Sequence, residues 1–226
     1  MSLGYNYNMN INPQAKVVLC YGDSNTWGQN DDKNVAGRYA ADVRWTGSLQ
    51  KHLGDDYYVI EEGLGGRTTD LEHYNPDKPS RNGFTYFKPC LTSHSPLSLV
   101  VIMLGTNDLK LQYQRPVGDI ANALKVYVDT VKAELPNASV LLIGPIYVDD
   151  TAPKFTEYYD GTYDGQSALR SKELGQAISQ LADETGCTFF DASTVARAGK
   201  DGIHFDMQSH AELAKSLSEL VQKQYA

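Results

Sequence analysis

Apolar residues in this chain come in short runs closed by glycine or proline. Val17 to Tyr21 ends at Gly22, residues 56–62 (DYYVIEE) end at Gly63, and Leu97 to Leu104 ends at Gly105. Residues 139–143 end at Gly144 and Pro145, and a last short run covers 187–190. Length and β-branched content predict five strands, the third apolar nearly throughout, as a strand buried on both faces should be. Between the runs, apolar positions recur at helical spacing. Ile120, Leu124, Tyr127, Val131 and Leu135 mark a helix over 117–135, with Pro136 just past its end. Leu213, Leu217, Leu220 and Val221 mark another over 207–222, and 44–53 and 166–184 read as two more. Thr68 to His73 is expected to form one helical turn. Residues 75–89, broken by Pro76, Pro79 and Pro89, and the aromatic stretch 146–165 are expected to be irregular.

Strands alternating with helices imply an α/β fold: a parallel sheet with right-handed crossovers, covered on both faces as a three-layer α/β/α sandwich. No repeat or linker interrupts the pattern. The expected organisation is a flexible N-terminal arm, residues 1–14, and a single domain over 15–226. The carboxyl ends of the strands then share one edge, where ligands of such sheets bind. Gly22-Asp23-Ser24, Gly65-Gly66 and Gly105-Thr106-Asn107-Asp108 converge on that edge.

Composition narrows the partners. A net charge of −8 argues against nucleic acid, because phosphate binding needs clustered Lys and Arg. No apolar run approaches the ~20 residues of a membrane span, so no membrane partner is expected. The N-terminal stretch lacks the apolar core of a secretion signal, which reads as cytoplasmic. Cys20, Cys90 and Cys187 are an odd set without close pairing, which suits reduced thiols and neither a disulfide frame nor a metal site.

The polar edge carries possible chemistry. A serine hydroxyl becomes a nucleophile only when a base takes its proton and a third group orients the base. The histidines are His52, His73, His94, His204 and His210, and two have an aspartate three positions earlier. Asp70 and His73 would share a helical face as a surface pair. Asp201 and His204 sit in a Gly-containing loop, where the aspartate can fold back onto Nδ1 and leave Nε2 for Ser24, so this pair is favoured. Oxyanion donors are at hand in the Asn107 amide and the backbone N–H groups of Ser24 and Gly66. A plain turn at 22–25 and a loop-capping Asn107 are the structural alternatives. The G-x-S-x-G elbow is absent, since position 26 is Thr.

Taken in order, Gly22-Asp23-Ser24, Gly66, Gly105-Thr106-Asn107-Asp108 and Asp201-Gly202-Ile203-His204 resemble the four blocks of the SGNH or GDSL hydrolases across nearly the whole chain. Asn25 stands where that family often has Leu, which bears on the shape of the acyl pocket. Residues 42–47 (DVRWTG), 61–64 (EEGL) and 67–69 (RTT) are similar to the bacterial arylesterase/acyltransferase, or perhydrolase, branch. The resemblance implies a flavodoxin-like five-stranded parallel sheet. It implies a serine esterase for short-chain acyl esters: Ser24 attacks, His204 takes the proton, Asp201 orients His204, and Ser24, Gly66 and Asn107 hold the oxyanion. Transfer to alcohols or peroxide, assembly into a homo-oligomer, and no metal or organic cofactor are further implications. Asp23, Asn25, Trp27, Ile203 and Phe155 are the expected pocket residues. Two other readings stand beside this one. A carbohydrate acetylesterase could stack Trp27, Tyr158, Tyr159 or Tyr163 on a sugar ring. A non-catalytic flavodoxin-like binding module would have no use for Ser24, Asn107 and an Asp-x-x-His at one edge. Residues 147–165, with Phe155, Tyr158, Tyr159 and Tyr163, are expected to pack on a neighbouring subunit and wall the acyl pocket.

Overall fold

A computed structural model of the chain describes residues 10–35, 37–73 and 75–225. Five parallel strands form one sheet: β1 (Lys16–Gly22), β2 (Tyr57–Gly63), β3 (Leu99–Met103), β4 (Ser139–Gly144) and β5 (Thr188–Asp191), in the order β2-β1-β3-β4-β5. The chain runs outward from β1 to β2, then back across to β3. The winding reverses between β1 and β3, which opens a crevice at their carboxyl ends.

The two-residue period of the strands sorts their side chains between two cores. Leu19, Tyr21, Val100 and Ile102 face α3 (Gly83–His94), α4 (Val117–Glu134) and α6 (Gly165–Thr185). Val18, Cys20, Val101 and Met103 face α2 (Trp45–Leu53) and α7 (Met207–Gln224). The remaining helices are short: α1 (Ser24–Trp27) at the end of β1 and α5 (Phe155–Tyr159) after β4. Among the described residues, no helix is long and apolar enough to cross a membrane.

Three local expectations are corrected. Residues 83–94 are helical despite Pro89. Asn82 caps this helix by accepting from the N–H groups of Phe84 and Thr85. Pro89 removes one internal hydrogen bond but lies on the exposed side. Burying Phe87 and Leu91 contributes about 1.5–3 kcal/mol each, enough to offset the ~3 kcal/mol cost of a helical proline. Residues 68–73 form no helical turn. Thr68 instead bridges to Asn82, and the Thr69 N–H donates to the Asp108 carboxylate at 3.0 Å. Finally, 146–165 contains α5 and folds onto its own domain, with Phe155 and Tyr163 buried in the α3/α4/α6 core.

The expected arm, residues 1–14, lies outside the described residues up to position 9. Asn10 and Asn12 are tied to the domain, their Nδ2 groups donating to the Asp55 carbonyl at 3.1 and 3.0 Å.

One buried contact makes stability depend on pH. The fully buried His210 of α7 accepts the Trp45 N–H at Nδ1 (3.1 Å), joining α7 to the start of α2. Burial pushes its pKa down to about 4; Asp206 opposes this and Arg44 adds to it. The unfolded chain therefore binds a proton below about 6.5 that the folded chain refuses until about 4, so stability falls as pH drops through this window. The expected loss is ~2 kcal/mol between about pH 7 and pH 5. Thermal unfolding across that range should show it, and His210→Gln should flatten the slope.

Candidate active site

Ser24 is the first residue of α1, and Asp23 caps that turn by accepting the Asn25 N–H at 2.9 Å. The turn ends at Gly28, whose φ of 84° lets its N–H return to the Ser24 carbonyl at 2.9 Å. Its Oγ is thus held at the carboxyl end of β1, beside the β1/β3 crevice.

His204 reaches Ser24 from the loop between β5 and α7. Its Nε2 lies 2.9 Å from the Ser24 Oγ, and its Nδ1 lies 2.6 Å from Asp201 Oδ2. Asp201 folds back as the spacing suggested, because Gly202 (φ 79°) turns the backbone and Oδ1 accepts the N–H groups of Ile203 and His204 at 2.9 and 2.8 Å. The Tyr159 hydroxyl donates to Asp201 Oδ2 at 3.1 Å. Burial pushes the Asp201 carboxyl up, but its bonds to His204 and the backbone outweigh this and hold it below the usual range. Asp201 is therefore a carboxylate that keeps the imidazole N–H on Nδ1 and Nε2 free to accept. All three side chains are almost wholly shielded, with Ser24 and His204 at 4% exposure and Asp201 at 0%.

Ser24 and His204 open into a cavity of about 490 Å³, lined also by Gly66, Asn107, Trp27 and Ile203. Gly66 adopts a φ of 79°, a conformation that favours glycine. Asn107 gives one amide hydrogen to Asp23 Oδ2 (3.3 Å), and Tyr163 donates to its Oδ1 (3.5 Å). Its other amide hydrogen remains for the cavity. Ser24, His204 and the Asn107 amide thus meet at one void, an arrangement able to run acyl transfer through a covalent intermediate.

The competing pair separates. Asp70 pairs with Arg115 (2.5 Å), and His73 accepts the Asn75 N–H at Nδ1 (3.0 Å) while lining the outer cavity. Asp23, Asn25 and Phe155, expected in the pocket, do not line it. Asp23 is buried below Ser24, and burial raises its pKa despite the Asn25 N–H. Phe155 supports Gly202 from the core: a Cβ on that glycine would fall 2.8 Å from its ring. Asn25 brackets the base, donating to the Ile203 carbonyl (3.1 Å) and accepting the Phe205 N–H (2.9 Å). Sequence reasoning found neither this clamp nor the Tyr159 bond to Asp201, since the partners are 178 and 42 positions apart. The arylesterase-like blocks hold the frame: Glu61 accepts from Arg44 (3.0 Å) and Thr46 (2.5 Å), and Arg67 donates to the Gly22 carbonyl (2.8 Å).

The family model for GDSL-like lipases and acylhydrolases matches residues 20–211. The chain belongs to that family. A carbohydrate acetylesterase from Sinorhizobium meliloti is 37% identical over 92% of this chain and 99% of its own, with a TM-score of 0.84. An aryl esterase from M. smegmatis is 39% identical over the same shares, with a TM-score of 0.82. A comparison with curated protein sequences gives no match. This GDSL-like hydrolase is accordingly a carboxylic ester hydrolase with the five-stranded SGNH fold.

The Asn25 clamp predicts a graded effect. Asn25→Leu loses both bonds to the residues flanking His204, and kcat should fall by about tenfold or more with KM little changed, on the order of one or two buried hydrogen bonds. Asn25→Asp can still accept the Phe205 N–H and should retain more activity than Asn25→Leu. Steady-state kinetics of the two variants tests the order.

Proposed function

We propose that the enzyme cleaves short-chain acyl esters through an acyl-Ser24 intermediate, which simple aryl acetates can assay. The observation that carries this reading is the unbroken line from Asp201 to His204 to Ser24, with links of 2.6 and 2.9 Å, opening into a cavity bordered by Gly66 and Asn107. Ser24 Oγ attacks the ester carbonyl and passes its proton to His204 Nε2. The carbonyl oxygen becomes an oxyanion, held by the N–H groups of Ser24 and Gly66 and by the Asn107 amide. Collapse of the intermediate expels the alcohol, which takes the proton from His204. Water, or an acceptor alcohol or peroxide, then attacks the acyl-enzyme with His204 as base.

Deacylation of sugars is the second reading. Trp27, Tyr159 and Tyr163 line the cavity and offer ring faces, and the Sinorhizobium meliloti neighbour is a carbohydrate acetylesterase. Comparing acetylated xylose with phenyl acetate separates the two. Acyl transfer and assembly into a homo-oligomer follow the likeness to the arylesterase branch, and a single folded domain over 15–226 suits the one continuous sheet. The free thiols of Cys20, Cys90 and Cys187 suit a reducing, cytoplasmic setting.

A panel of para-nitrophenyl esters of rising chain length should show highest kcat/KM for the shortest acyl groups. His204→Ala should lower kcat on the order of 10⁴-fold or more, and His73→Ala far less. Asn107→Ala should lower kcat by ~10²–10³ with a modest change in KM. A fluorophosphonate should add its mass to the Ser24 peptide; label elsewhere with Ser24 untouched would overturn the assignment.

A further inference from the structure

Four of the residues around the Ser24 cavity are Lys33, Lys78, Arg81 and Lys110, and none of the lining residues is acidic. Ester hydrolysis as described above has no use for them. They also run against the net charge of the molecule, which is −8. Elsewhere, seven of the other sixteen basic side chains, Arg38, Arg44, Lys88, Arg115, Lys125, Lys154 and Lys200, pair with carboxylates. Among the described residues, no ion pair within 4.0 Å involves any of the four cavity cations.

Three of these cations act on one another. Lys110 directly follows the turn that carries Asn107. Burial pushes its pKa down to about 8, Lys78 and Arg81 push the same way, and Asp23 and Asp108 oppose them. Arg81 uses Nη1 on the Pro79 carbonyl (2.7 Å), while its Nε is buried without a hydrogen-bond partner. That Nε borders Gly66: a Cβ built on the glycine would lie 3.4 Å from it. Lys33, which also feels Lys78, lies over the rings of Tyr158 and Tyr159 and donates to the Tyr158 carbonyl at 3.0 Å. Converging cations with an unused guanidinium N–H raise the energy of the empty cavity. An anion seated among them relieves the repulsion and accepts charge-assisted hydrogen bonds.

We propose that the ester processed here carries an anionic group, a carboxylate or a phosphate, and that Lys78, Arg81 and Lys110 bind it beside Gly66. This rests on the esterase reading and adds its substrate class. The anion stays outside the bond that breaks, so the reaction at Ser24 is unchanged. Its place beside Gly66 puts recognition next to the oxyanion donors, where it can orient the reacting carbonyl.

Matched esters test it. On the alcohol side, para-acetoxybenzoate and para-acetoxyphenyl phosphate are compared with methyl para-acetoxybenzoate. On the acyl side, the para-nitrophenyl monoester of glutaric acid is compared with para-nitrophenyl pentanoate. In one arm the anionic ester should exceed its neutral partner in kcat/KM by about tenfold or more, the worth of a charge-assisted hydrogen bond. The ratio should shrink as salt rises. It should fall toward one in Lys78→Met/Arg81→Met, and Lys88→Met, whose partner is Glu134 outside the cavity, should leave it unchanged. Lys78 is exposed, so Lys78→Met alone should shift the ratio the same way by less, should the double variant fold poorly. The benzoate and phosphate rates show which anion is preferred. Neutral esters hydrolysed as well as anionic ones in both arms, or an anionic preference intact in the double variant, overturns this proposal and leaves the esterase reading standing. Failure to hydrolyse any ester, with no fluorophosphonate label on Ser24, overturns the esterase reading itself.

Discussion

The turn that carries Ser24 lies so close to the ends of β1 and β2 that no side chain fits beneath it. A Cβ on Gly22 would fall 2.1 Å from Thr26 Oγ1, and one on Gly63 would fall 2.1 Å from the Trp27 amide nitrogen. These glycines are partners in the β1/β2 register, so one bare spot on the sheet edge seats the whole of α1. Any larger residue there would lift the turn, and with it the Ser24 Oγ, away from an imidazole 2.9 Å distant. Buried strands cannot move to compensate, because their packing is close to crystalline. The rigidity that holds the Ser24 Oγ beside the His204 imidazole is thus a consequence of backbone meeting backbone.

His204 is set with equal firmness from the other side. Asn25 holds the peptide groups before and after His204, and Asp201 holds the imidazole and its own loop together. Because Asn25 adjoins Ser24 in the chain, Ser24 and His204 are fastened to each other through neighbouring residues. A branched apolar side chain at position 25 would fill space there but could satisfy neither the Ile203 carbonyl nor the Phe205 N–H. Tyr159 adds a fourth bond to the Asp201 carboxylate and walls the cavity with its ring. The aromatic stretch after β4 therefore serves the site from within its own chain.

Charge is distributed on two scales. At long range the protein is acidic, and seven of its twenty basic side chains are spent on local ion pairs. Within the cavity the balance is reversed, with Lys78, Arg81 and Lys110 on the lining and no carboxylate beside them. A short-range field of this kind acts on whatever enters far more strongly than the net charge does, since screening removes the distant part within about 8–10 Å.

What the sequence by itself determined are the features encoded by nearest neighbours. The five apolar runs, their closing glycines and the 3.6-residue stripes of α4 and α7 depend only on local spacing. Together with the short motifs around Ser24, Asn107 and Asp201-x-x-His204, they were enough to read the sheet, the edge where Ser24 and Asn107 meet, and which histidine reaches Ser24. Local signals misled where tertiary burial outweighed them. Pro89 marked a break, yet α3 runs through it because Phe87 and Leu91 are buried, and Thr68–His73 gave up helical bonds for contacts with Asn82 and Asp108. Only the tertiary structure decided that Asn25 and Phe155 support the catalytic loop from outside the pocket. It alone brought Lys78, Arg81 and Lys110, from two loops more than twenty-five residues apart, onto one wall. Nothing in the spacing of those residues foretells this, because their meeting depends on how loops cross the sheet edge, and loop paths follow long-range packing rather than local periodicity.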